Sequence, residues 1–325
     1  MQGSTKLYPI KFKPIFKEKI WGGTKLEKYF NKKIKGKIGE SWEISGVEEN
    51  VSIVQNGNLR GNDLNYLITE FKEDLVGEKV YQSFHNTFPL LFKFIDARED
   101  LSVQLHPNDK LAKVRHNSFG KSEMWYVLQA EENSRLILGF KDRVDEANYK
   151  IHLKEESLSE ILHTEKVTKG DSFFIDTGMV HAIGAGIVLA EIQQTSDITY
   201  RIYDYNRPDA NGNLRELHTD LALEAIDFKK TSAKLVYENI ENKPVQICET
   251  KYFLSNKIIL KKDIKRDLSE IDSFVVYMCV EGVAIIEING YSETIVMGET
   301  VLIPAIINKL KIKSNSATIL EVYIP

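Results

Sequence analysis

The stretch EMWYVLQAEENSRLILGF, residues 123–140, returns in altered form at residues 273–290 as SFVVYMCVEGVAIIEING. Each copy reads as a strand, a short polar turn and a second strand, because branched and aromatic residues run in brief blocks bounded by acids, Asn and Gly. Downstream, VTKGDSFFIDTGMVHAI (167–183) is echoed by IVMGETVLIPAIINKLKI (295–312), each with a Gly–acid turn, a strand and a bend. One supersecondary unit met twice implies a duplicated fold. LLFKFIDA (90–97), LSVQLHP (101–107), IVLAEIQQ (187–194) and ITYRIYDY (198–205) add further short strands. The expectation is a mainly β chain of two barrels, with a few helices inserted or packed around the first. Helical patterns cover residues 61–76, 145–163 and 214–226, the last placing Leu214, Leu217, Leu221 and Ala225 on one face. A polar segment, KKTSAKLVYENIENKP, sets the expected boundary, giving a catalytic domain over 1–235 and a C-terminal domain over 236–325.

Bulk properties narrow the function. The 325 residues carry a net charge of −4 with interspersed signs, which argues against nucleic acid as a partner. No apolar run is long enough to span a bilayer, and the basic, proline-interrupted start reads as an extended arm. Cys248 and Cys279 show no metal or redox spacing and suit a reducing cytoplasm as buried apolar residues. The expectation is a cytoplasmic protein acting on a small molecule.

Four residues suggest a metal site. Gln104 and His106 stand two apart in a strand, Glu123 opens the next strand-like run, and His181 follows a turn. Two imidazoles, a carboxylate and an amide oxygen suit Zn²⁺, with coordination left open for water or substrate. A Gln-x-His pair alone is more often surface; four convergent ligands change that balance. His85, His116, His152, His163 and His218 have no second ligand at metal spacing and are assigned to the surface. The C-terminal copy has no histidine after His218, so it lacks an equivalent site.

These segments, in this order, together with KFKPIFKEKIWGG (11–23), GESWEIS (39–45), GKSEMWYVL (120–128), GMVHAIGAG (178–186) and SDITYRIYDYNR (196–207), resemble the type I phosphomannose isomerases of the cupin superfamily. The resemblance covers nearly the whole chain. It implies two cupin-type jelly-roll barrels, one Zn²⁺ per chain on Gln104, His106, Glu123 and His181, and a sugar phosphate substrate. It also implies interconversion of mannose 6-phosphate and fructose 6-phosphate through a cis-enediol. By the same resemblance, Ser102, Arg201 and Arg207 hold the phosphate. Lys121, Glu191 and a zinc-bound water compete for the proton shuttle; burial of Glu191 is expected to raise its pKa. Lys93, a charge in mid-strand, reads equally as site lining or as an ion-pair partner. Tyr203 and Tyr205 are expected to share a strand face with Arg201. Three rivals stand beside this reading: a glucose 6-phosphate isomerase, an iron-dependent cupin oxidoreductase, and a sugar-phosphate-binding module without catalysis.

Overall fold

The computed structural model describes residues 7–325, apart from positions 31, 33, 35, 142, 143, 210, 230–232 and 289. The first barrel contains β1 (Ile15–Gly23), β2 (Ile38–Ile44), β3 (Leu90–Ala97), β4 (Val103–Leu105), β5 (Glu123–Ala130) and β6 (Arg135–Phe140). It continues with β7 (Leu162–Lys166), β8 (Ser172–Ile175), β9 (His181–Ile183), β10 (Ile187–Gln194), β11 (Tyr200–Tyr203) and β12 (Lys234–Leu235). Two antiparallel sheets result, in the orders β1-β2-β3-β10-β5-β8-β12 and β11-β4-β9-β6-β7. Trp21, Ile95, Trp125, Leu136, Phe173 and Leu189 belong to the core inside this barrel. The outer face of the larger sheet is covered as well, which explains the unbroken apolar reading of β3: all eight of its residues are buried.

The second barrel holds β13 (Pro244–Glu249), β14 (Leu254–Leu260), β15 (Ile264–Asp267), β16 (Val275–Ile288), β17 (Tyr291–Val296), β18 (Thr300–Ile303), β19 (Lys309–Lys313) and β20 (Ala317–Tyr323). The expected strand–turn–strand of this copy is instead one continuous strand, β16, of 14 residues. It passes between the two sides of the barrel at Gly282, whose φ of 74° favours glycine. A Cβ there would lie 2.1 Å from the Ser316 carbonyl. The repeat survives in the register. Glu191 in β10 lies opposite Lys93 and Trp125; Glu321 in β20 lies opposite Asn256 and Tyr277.

The helices are shorter than their patterns. Asp63 caps Leu64–Val76, and a further helix, Glu78–Phe84, follows Gly77. The 145–163 pattern gives a helix over Glu146–Lys154, a 3-10 turn at Leu158–Glu160 and the start of β7, with a left-handed Glu156 ending the helix. The 214–226 pattern yields a helix at Thr219–Leu223, because His218 donates its backbone N–H to the Arg201 carbonyl and draws the chain toward β11. Leu214 and Leu217 are left exposed.

The barrels share a core. The N-terminal arm bridges to the second barrel at Ile10–Leu302, and the Leu75 and Val76 carbonyls accept from Ala305 and Phe274. Phe92, Phe94 and Met124 pack in one cluster with Phe274, Leu302 and Val322. No helix among the described residues is long and apolar enough to cross a membrane.

Candidate active site

Each site residue arrives by a short piece of local structure. His106 follows β4 directly, and its carbonyl accepts from the N–H of Gly178 at 2.9 Å. Gly178 has φ of 80°, and a Cβ there would sit 2.7 Å from the Ala225 carbonyl. That tight turn ties the two histidine-bearing segments together and returns the chain as β9, where His181 lies opposite Gln104. Glu123 opens β5. Nitrogen and carboxylate donors of His106, Glu123 and His181 all lie within 4.8 Å of one another, fully buried. The Glu123 carboxylate stands between the rings, 3.6 Å from His106 Nε2 and 3.5 Å from His181 Nε2.

The hydrogen bonds orient both rings for metal. His106 Nδ1 faces the Ile198 carbonyl at 2.8 Å and His181 Nδ1 the Met179 carbonyl at 2.9 Å. A carbonyl can only accept, so each Nδ1 carries the proton and each Nε2 presents a lone pair. Burial drives the His181 pKa down to about 4 and that of His106 well below its ordinary value, with Lys121 adding to the latter. Both imidazoles are therefore neutral at pH 7. His181 Nε2 is buried without a hydrogen-bond partner, an orphan that a cation would satisfy. Glu123 is pushed up to about 7 by burial and then by Glu191, against the pull of Lys121. A carboxylate so destabilised gains from a divalent cation. The donor set fits one.

Around this floor lies a cavity of about 130 Å³ whose lining includes Ser102, Gln104, Lys93, Lys121, Glu191 and Arg201. Lys121 Nζ contacts the Glu123 carboxylate and stands 3.1 Å from His106 Nε2. Glu191 accepts from Lys93 Nζ at 2.9 Å and from Trp125 Nε1 at 3.0 Å. Its pKa moves opposite to expectation: burial raises it, but Lys93 and then Lys121 outweigh burial and leave it below the usual carboxylate range. Lys93 also donates to Gln193 Oε1 at 2.6 Å and lies 3.9 Å from Glu40. It is thus both ion-pair partner and cavity wall.

Arg201 Nε donates to Ser102 Oγ at 3.3 Å, and Ser102 Oγ donates in turn to Gln104 Oε1 at 3.3 Å. Arg207 is not among the cavity-lining residues. It turns back to Asp204 Oδ1 at 2.8 Å and over the ring of Tyr205. Arg215, passed over in the sequence, lines the cavity instead, its Nε bonded to Asp204 Oδ2 at 2.6 Å. No spacing rule flags it, because 13 intervening residues separate it from Arg201. Tyr203 and Tyr205 also stand apart from the cavity lining: the register slips between Arg201 and Tyr203, and Tyr205 has a left-handed backbone. Lys19 and Trp21 line the cavity from β1, and Glu40 and Trp42 from β2. His218, assigned to the surface, is half-buried and accepts from the Arg201 N–H at 3.2 Å, while His116 meets the Tyr200 hydroxyl at 2.8 Å. Cys248 and Cys279 are free and buried, their thiols pushed up to about 12 by burial.

Comparison with known proteins decides the family. Residues 10–137 match the model of the phosphomannose isomerase type I catalytic domain. Mannose-6-phosphate isomerase ManA of Bacillus subtilis is 34% identical over 317 residues, spanning 96% of this chain and 98% of the relative. The chain belongs to the type I phosphomannose isomerase family. Another B. subtilis relative, probable mannose-6-phosphate isomerase GmuF, is 39% identical over 223 residues, 67% of this chain and 68% of its own. The crystal structure of the B. subtilis mannose 6-phosphate isomerase superposes with a TM-score of 0.88 at 30% identity, covering 97% of this chain and 99% of that one. In this family member, then, the buried His–Glu–His cluster lies within the barrel whose first half the family model matches.

Proposed function

We propose that this isomerase interconverts mannose 6-phosphate and fructose 6-phosphate, with Zn²⁺ held by His106, Glu123, His181 and Gln104. The observation that carries the reading is the orphaned His181 Nε2 beside Glu123, on the floor of a cavity that also holds Arg201, Lys93 and Glu191. When bound, zinc would supply a Lewis acid for the sugar's carbonyl oxygen. Every other task falls to side chains.

Ser102, Arg201 and Arg215, all three in the cavity lining, form the phosphate end. Arg207 serves indirectly, by sharing Asp204 with Arg215. Fixing the phosphate there holds the sugar carbons toward Glu191 and Lys121. Glu191, ionised at neutral pH and oriented by Lys93 and Trp125, accepts the proton from C2 of the aldose and returns it to C1. The intermediate is the cis-enediol, in which O1 gains a proton and from which O2 then gives one up, so the exchange is redox-neutral overall. Lys121 donates to the sugar oxygen on which negative charge develops. The amide ligand and the guanidinium pair favour this reading over an oxygen-activating iron cupin.

A coupled assay on chelated and zinc-restored protein tests the proposal, with glucose 6-phosphate as control. Mannose 6-phosphate turnover should vanish with chelator and return with Zn²⁺. Turnover of glucose 6-phosphate alone, or full activity without metal, overturns it.

A further inference from the structure

Lys121 is held in place by residues that never touch the cavity. The residues on either side of it, Gly120 and Ser122, are anchored through their N–H groups to one polar unit. The Gly120 N–H donates to Asp109 Oδ1 at 3.0 Å, and the Ser122 N–H donates to Gln194 Oε1 at 3.0 Å. Gln194 Nε2 donates in turn to the same Asp109 oxygen at 3.0 Å, and the Gln194 N–H reaches the Ser122 carbonyl at 3.2 Å. A Cβ on Gly120 would lie 2.7 Å from the Asp109 nitrogen, so the loop sits directly against the start of the helix Asp109–His116.

The other oxygen of Asp109 belongs to the second barrel. Tyr252 donates its hydroxyl to Asp109 Oδ2 at 2.5 Å, and the Lys251 ammonium lies 3.8 Å from that atom and over the Tyr252 ring. Tyr252 is itself fixed in a turn: Thr250 Oγ1 accepts from the N–H of Tyr252 at 3.0 Å and of Phe253 at 3.1 Å. A chain of hydrogen bonds therefore runs from the head of β14, through Asp109 and Gln194, to the backbone around Lys121.

We infer that the C-terminal barrel takes part in catalysis through Tyr252 and Asp109, which act as positioning residues for Lys121. This gives the C-terminal barrel a task in turnover beyond covering the first barrel. The inference rests on the isomerase reading and on Lys121 as a donor there. A hydrogen bond to a carboxylate that fixes a donor's geometry is felt in the transition state more than in substrate binding. Its loss therefore lowers kcat and spares KM.

The experiment compares Tyr252→Phe in the zinc-loaded wild type and in a Lys121→Met background. Tyr252→Phe should lower kcat about tenfold, with KM for mannose 6-phosphate within about twofold and zinc content unchanged. In the Lys121→Met background the same change should have no further effect on residual kcat. Amide exchange at Gly120 and Ser122 should quicken about tenfold in Tyr252→Phe. An equal loss of kcat in both backgrounds, or an unaltered kcat, overturns the inference. If the wild type shows no isomerase turnover, the functional reading fails. Amide exchange still judges the clamp in that case: unchanged protection at Gly120 and Ser122 removes it.

Discussion

Replacing Glu40 with Gln tests how the cavity stores its charge. Glu40 is buried in β2, 3.2 Å from Lys19 and 3.9 Å from Lys93, and accepts from Trp42 Nε1 at 2.6 Å. Burial alone would raise its pKa, but Lys93, Lys19 and the Trp42 N–H together bring it down from 4.5 to about 2. At about 1.4 kcal/mol for each pH unit, that fall corresponds to about 3 kcal/mol of stability at pH 7. The sign follows from the direction. A carboxyl whose folded pKa is depressed contributes fully above its unfolded value and loses the contribution as pH falls toward about 2. Glutamine keeps the shape and an acceptor for Trp42 but has no charge to lose. Urea unfolding of wild type and Glu40→Gln should therefore differ by about 3 kcal/mol at pH 7 and by about half as much at pH 3. A gap that is constant across this range, or below about 1 kcal/mol at pH 7, would refute the assignment of Glu40 as the compensated anion of the cavity wall.

Three further outcomes are expected. Glu123→Ala or His181→Ala should lower zinc affinity at least about 100-fold and remove turnover, as read by competition with a chromophoric chelator; retained stoichiometric zinc would exclude these residues as ligands. Arg215→Met should raise KM for mannose 6-phosphate about tenfold or more, whereas Arg207→Met should change it less than about threefold; the reverse order would return the phosphate role to Arg207. Arg266→Met, far from the cavity, should cost about 3–5 kcal/mol in urea unfolding by stranding the buried Glu321 carboxylate. Pairing it with Glu321→Leu should recover much of that loss, and a neutral single substitution would show that the pair is dispensable.

The convergence of His106, Glu123 and His181 was legible because metal chemistry restricts residue type and β periodicity restricts spacing. Gln104 lies inside β4, His106 directly follows it, and Glu123 and His181 open β5 and β9, so a two-residue period and a Gly turn say where these side chains go. Arg215 was illegible for the opposite reason. It reaches the cavity after an irregular excursion through the left-handed Tyr205 and Asn206, which no periodicity describes. The direction of the Glu191 shift was misread because burial is visible in an apolar strand, while the cross-strand ammonium of Lys93 is set by register. The helix expected over 214–226 lost to tertiary pairing of His218 with Arg201, an interaction that local propensity cannot contain. In the second barrel, the turn expected near Gly282 was a bend within one strand. A positive-φ glycine serves either purpose, and the close Ser316 carbonyl settles which.

The two barrels give one buried carboxylate two different fates. Glu191 and Glu321 occupy matching registers, each between the same pair of neighbouring strands of its barrel. In the first barrel the partners are Lys93 and the Trp125 N–H, and the charge still borders a cavity. In the second, Asn256 and the Tyr277 hydroxyl stand at those positions, and Arg266 adds a bidentate fork with both contacts at 2.8 Å. Four donors saturate Glu321, so it has nothing left to offer a ligand. The guanidinium thus supplies to Glu321 the positive charge that the Lys93 ammonium supplies to Glu191 in the first barrel. A barrel plugged in this way is stiff, because its central charge pair cannot open without exposing an unpaired buried ion. Stiffness is what the Thr250–Phe253 turn at the head of β14 needs if Tyr252 is to hold Asp109, and through it Lys121, to a fixed geometry.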